Sequence, residues 1–145
     1  MTWVHDRIYA GGGVYIPDTW EAFAEQTGIS AVVHLAPGRP SSFRGRPPLA
    51  FLWLGIADER DAGPEDRWLV GRFVDACLEA GQNVLLHSSL GRHRARWAFV
   101  AYRIYAGRTA HAALREAAER PWLAPYTTDP TAWEAFAGEV RARRV

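Results

Sequence analysis

The chain contains no lysine: all 17 of its basic residues are arginine. Alanine is also abundant, and base composition of the source genome accounts for such a bias without a functional reason. Cysteine occurs once, at Cys77. One thiol cannot form an internal disulfide or supply a thiolate metal cluster, which removes disulfide scaffolds and zinc fingers. A surplus of charge is missing too, the formal net charge being +1, whereas a dedicated nucleic-acid binder normally carries a basic excess. No apolar run approaches the roughly 20 residues of a membrane helix, and no charged-then-apolar leader opens the chain. Repeats, low-complexity tracts and long linkers are absent as well. These absences lead us to expect a soluble, cytoplasmic protein with neither nucleic acid nor membrane as its partner.

What is present is 145 residues with 48% apolar side chains, enough for one domain, 1–145, with a substantial core. Arg7 to Ala10 reads as a strand ending in three glycines. Asp18 with Glu21 has the capping-box pattern of a helix start, and Gly28 stands where that helix should stop. Ile29–Leu35 and Leu49–Ile56 are short apolar runs of strand type. Between them, residues 36–48 hold four prolines and two glycines, the composition of a surface loop. From Glu65 to Ala80, Val70, Phe73, Val74, Cys77 and Leu78 recur at helical spacing. Asn83–His87 is a further strand. Helices are expected to about Ala106, from Thr109 to about Glu119, and over 131–143. Strands alternating with helices define an α/β fold with a central, mostly parallel sheet flanked by helices.

The chemistry concentrates in His87-Ser88-Ser89-Leu90-Gly91-Arg92-His93-Arg94. A loop from a buried strand into a helix converges its backbone N–H groups, and the helix N-terminus adds partial positive charge. Gly91 allows the backbone angle such a cradle needs. Arg94, in the first helical turn, is placed to grip two oxygens of one anion. This describes a site for a phosphate-like group.

The segment resembles the phosphate-binding loop of the protein tyrosine phosphatases: His-Cys, five residues, then Arg, usually with an internal Gly. His87, Gly91 and Arg94 match that pattern. Ile8-Tyr9-Ala10-Gly11-Gly12, Gly28 to Leu35, and Leu54-Gly55-Ile56-Ala57-Asp58 resemble the compact dual-specificity branch, so the likeness runs from about residue 7 to 140. It implies a dual-specificity phosphatase-like fold and a phosphoprotein or other phosphorylated ligand. By the same resemblance, residues 89–94 (Ser89, Leu90, Gly91, Arg92, His93 and Arg94) bind phosphate and His87 shapes the loop. Asp58 corresponds to the general acid, with Asp61 in reserve and Glu59 a poorer match.

One position departs. Where the family has a nucleophilic cysteine this chain has Ser88. A positive loop lowers a thiol pKa from about 8.5 to between 3.5 and 7.5, but a hydroxyl is far more basic and stays protonated. Ala95 replaces the Ser or Thr that many members carry after the arginine. We therefore expect an inactive phosphatase-fold protein that binds phosphotyrosine, phosphoserine/threonine or another oxyanion. The rival readings are an active cysteinyl-phosphate enzyme recorded as a Cys-to-Ser variant, and a scaffold domain with a vestigial anion site.

The remaining candidates are read structurally. Cys77 is a core thiol. Arg96 belongs to a solvated basic patch, whereas Arg92 and His93 either share that patch or reach ligand groups beyond the phosphate. His87 and His93 lack the acidic partners of a recognisable metal set. The Gly11-Gly12-Gly13 run lacks nucleotide-fingerprint spacing, so neither metal nor cofactor is expected. The seven tryptophans are assigned to the core by default.

Overall fold

The fold is built on a five-stranded sheet in the order β1-β2-β5-β3-β4. It is seen in a computed structural model that describes residues 1–37, 42–89, 91–123 and 128–144. The strands are β1 (Thr2–His5), β2 (Ile8–Gly12), β3 (Ile29–Leu35), β4 (Ala50–Leu54) and β5 (Asn83–Ser88). β1 runs antiparallel to β2, and every other pairing is parallel. The short hairpin strand β1 has no counterpart in the sequence reading.

β5 occupies the centre and has apolar cover on both faces, which explains its uninterrupted Val84-Leu85-Leu86 run. On one face lie α1 (Tyr15–Asp18) and α2 (Trp20–Thr27), where Ile16 and Trp20 pack on Val32 and Leu85. On the other lie α3 (Pro64–Glu79), α4 (His93–Tyr105), α5 (Ala110–Ala118) and α6 (Pro130–Arg143). Their shared core includes Val70, Val74, Trp97, Phe99, Trp133 and Phe136. Each large apolar side chain so buried contributes about 1.5–3 kcal/mol. Arg67 of α3 lies over the Trp133 ring at 5.2 Å, joining α3 to α6.

Three local expectations change. The Asp18–Glu21 capping box does not form: α2 begins after Thr19, which has no side-chain capping bond, and Thr19 Oγ1 instead donates to the Tyr15 carbonyl at 2.7 Å. The extra turn of α1 moves Asp18 out of the capping position. Second, only Trp20, Trp97 and Trp133 are fully buried, while Trp3, Trp53 and Trp122 are exposed. Trp3 and Trp53 lie on the edge strands β1 and β4, which have a neighbour on one side only. Third, Arg96 is half-buried and donates to the Leu123 carbonyl at 3.1 Å. It is not part of a solvated patch.

Cys77 is buried, and burial raises its thiol pKa. Gly28 ends α2 at φ 74°, and Thr109 caps α5 by accepting the Ala112 N–H at 3.1 Å. No helix among the described residues is long and apolar enough to cross a membrane.

Candidate functional site

Ser88 is the last residue of β5, aligned with Gly12 of β2 and Leu35 of β3. It therefore stands at the carboxyl edge of the parallel sheet, where open α/β folds form their ligand crevices. Its side chain is buried, and Ser88 Oγ accepts the Gly91 N–H at 2.9 Å. The Gly13 N–H meets the Ser88 carbonyl at 3.3 Å. Gly91 has φ 67°, and a Cβ there would collide with the backbone of Gly11. The glycine is thus required twice, by its dihedral angle and by the close approach to β2.

Arg94 lies in the first turn of α4. Its Nη1 donates to the Leu35 carbonyl at 2.8 Å and the Ile56 carbonyl at 3.2 Å. These contacts fix the guanidinium against the ends of β3 and β4, leaving Nε and Nη2 with no protein acceptor among the described residues. α4 opens after Arg92, which makes no side-chain capping bond, and its N-terminus presents the positive end of the helix dipole to the loop. Ser89, Arg92 and His93 are exposed, and Leu90 lies outside the described residues. Arg92 and Gly91, with Gly12 and Trp122, help to wall a cavity of about 400 Å³. A cavity of about 420 Å³ beside Trp20 and Pro48 reaches Ile29 at the start of β3, the opposite end from Ser88.

His87 is buried beneath the loop. Its Nε2 lies 3.0 Å from the Gly13 carbonyl, and its Nδ1 lies 3.0 Å from Nδ1 of His34. The two rings stack at 5.1 Å. Burial, then the neighbouring His34 and Arg94, push the His87 pKa down to about 4, against the pull of the Gly13 carbonyl. Burial and Arg94 lower that of His34 as well. Both ring nitrogens of His87 are engaged, and neither faces Ser88 Oγ.

Asp58 follows β4 and caps the 3₁₀ turn Glu59–Asp61. Its carboxylate accepts the Arg60 backbone N–H at 2.9 Å and Arg60 Nε at 3.0 Å. These bonds, with a smaller contribution from Arg94, hold its pKa below the ordinary value. Asp61 is exposed and Glu59 is buried. The structure therefore brings His87, Ser88, Gly91 and Arg94 together, and couples Asp58 to Arg94 only through their charges. Ala95 is fully buried in the core. Among the described residues no group of three or more His, Cys, Asp or Glu side chains is placed to hold a metal ion.

From sequence alone His34 is only one position of the β3 run. Its significance depends on the β3–β5 register, which sets it opposite His87. The available signal was one histidine near the end of each of two apolar strand runs, and nothing in the sequence gives the register that pairs them.

This is the fold of the dual-specificity phosphatases, in agreement with the resemblance of the loop. Human DUSP28 superposes with a TM-score of 0.77 at 18% identity, covering 99% of both chains. The human tyrosine phosphatase-like serine/threonine/tyrosine-interacting protein gives 0.74 at 19% identity, over 99% of this chain and 97% of the other. PTPMT1 in complex with PI(5)P gives 0.76 at 17% identity, over 97% and 96%. No family model and no curated protein sequence matches the chain.

Proposed function

We propose that the chain is a phosphatase-fold protein that binds phosphorylated protein residues, or oxyanions of the same shape, in the 88–94 loop without turning them over. The observation that carries this reading is the state of Ser88. Its hydroxyl accepts a loop N–H, and the adjacent imidazole has both nitrogens committed to Gly13 and His34. A serine without a base to take its proton is a poor nucleophile. Arg94 is fixed on one side, and its Nε and Nη2, which have no acceptor among the described residues, would grip an anion's oxygens in a forked contact. On this reading Ser89 to Arg94 bind the phosphate, Leu90 among them, and His87 shapes the loop.

Solved relatives in fold include a tyrosine phosphatase-like protein and one in complex with PI(5)P, which supports a phosphorylated ligand. The near-neutral charge favours a phosphoprotein partner over nucleic acid, and we place 1–145 as one cytoplasmic domain working away from membranes.

One observation favours a second reading, an active phosphatase recorded as its Cys-to-Ser form. The Gly91 N–H aimed at the side chain of residue 88 is suited to stabilising a thiolate there. Asp58 would then serve as the general acid once released from Arg60.

Calorimetric titration with tungstate and with a phosphotyrosine peptide tests the binding. We expect saturable binding that Arg94→Ala weakens at least about tenfold, the scale of a lost charge-assisted pair. Binding that ignores Arg94→Ala, or no binding, would leave a scaffold with a vestigial site. Turnover of an aryl phosphate by the chain itself would overturn the inactive reading. Turnover that appears with Ser88→Cys and vanishes on adding Asp58→Asn would show the remaining machinery to be intact.

A further inference from the structure

We propose that His34 is a positioning residue for the anion loop: its Nδ1–H fixes His87 in the one tautomer that ties the loop to Gly13, just past β2. The proposal rests on the reading of residues 88–94 as an anion site. It adds a residue outside that segment and outside the phosphatase motif.

The geometry admits a single assignment of hydrogens at neutral pH. The Gly13 carbonyl can only accept, so His87 Nε2 must carry a hydrogen. A neutral imidazole then presents a lone pair at Nδ1, and the facing Nδ1 of His34, 3.0 Å away, must donate. The reverse tautomer would set two lone pairs 3.0 Å apart at Gly13. The chain of bonds thus runs from His34 to His87 to Gly13, and from the Gly13 N–H to the Ser88 carbonyl. It ends on the residue that opens the loop.

Aromatic rings enclose the pair. Phe43 lies 6.1 Å from His34 and 6.0 Å from His87, and Phe51 of β4 lies 6.0 Å from His34, between ring centres. Among the elements packed around it, Arg94 is the charged group that acts on both imidazoles. Asp18 of α1, Glu21 and Glu25 of α2, and Arg44 and Arg46 of the loop between β3 and β4 are exposed. Tyr9 of β2 is half-buried on the same side.

The two protonation steps have different consequences. A proton on His34 Nε2 leaves the Nδ1–Nδ1 bond in place. A proton on His87 Nδ1 sets two N–H groups head to head and breaks it. Anion binding should therefore survive the first step and fail at the second.

The test combines side-chain ¹⁵N NMR with calorimetric titration of sulfate, which keeps its charge through mild acid. In the unaltered chain at neutral pH, His87 should be the Nε2–H tautomer. In His34→Asn the amide nitrogen overlies the lost Nδ1 and still donates, so tautomer and affinity should be kept to within about twofold. In His34→Leu the donor is gone, so His87 should sample both tautomers and affinity should fall about tenfold while the folded far-UV spectrum persists. His87 found with its hydrogen on Nδ1, or His34→Leu matching the unaltered chain in both measurements, overturns the proposal. If His34→Leu does not fold, the tautomer of the unaltered chain and the affinity of His34→Asn decide it. Absence of sulfate binding in the unaltered chain would refute the anion-site reading and leave the tautomer measurement to judge His34 alone.

Discussion

At the scale of single residues the loop is held by backbone as much as by side chains. Gly91→Ala meets both a left-handed φ and the backbone of Gly11, and neither can relax by a rotamer change. We expect it to cost about 2 kcal/mol or more in a urea titration and to abolish tungstate binding. Survival of both would show that the loop does not depend on this contact. Which residues were legible beforehand follows from where their reasons lie. His87, Gly91 and Arg94 act through one local strand–loop–helix, and their spacing announces it. Gly11 and His34 matter because of strands distant in sequence, and no local pattern records that.

Elements show the same division. A glycine inside a helix usually costs stability relative to alanine, yet α3 and α6 give opposite outcomes for one substitution. At Gly138 of α6 the nearest outside atom to an added methyl is 3.7 Å away, on the Arg141 side chain, so Gly138→Ala should stabilise by about 0.5–1 kcal/mol. At Gly71 of α3 the methyl would lie 2.5 Å from Tyr105 Cβ of α4, and Gly71→Ala should destabilise by about 1–3 kcal/mol. Thermal melts of the pair check the contrast, and equal shifts would mean that α3 and α4 can separate at little cost. Periodicity located these helices within a residue or two. It could not show that Gly71 is a crossing point, or that β1 and β4 are edges whose tryptophans meet solvent.

For the whole molecule, the buried imidazoles set how stability responds to acid. His87 has its pKa depressed from 6.5 to about 4 in the fold. Between those values the unfolded chain holds the extra proton, so stability is complete above about pH 6.5 and declines as pH falls toward 4. The loss from this residue alone is about 3 kcal/mol. His34 and His5 are shifted the same way. The lowered carboxylates Asp58, Glu116 and Asp129 add losses at lower pH, as each is protonated. Urea midpoints should hold from pH 7 to about 6.5 and fall from there to pH 4, and His87→Asn should flatten the upper part of that fall. A midpoint unchanged until the carboxylates titrate would contradict a neutral, buried His87.

The placement of β5 also bears on how the chain is made. It is made after the other four strands of the sheet, yet it sits between β2 and β3. A nascent chain ending before Asn83 lacks the strand that joins the β1–β2 pair to the β3–β4 pair, so the edges of β2 and β3 that β5 covers have no partner in it. Such edges invite pairing with other chains. Entry of β5 closes both edges and brings Ser88 to Gly12 and Leu35 in one event. Prematurely terminated products should therefore aggregate rather than persist as smaller folded forms.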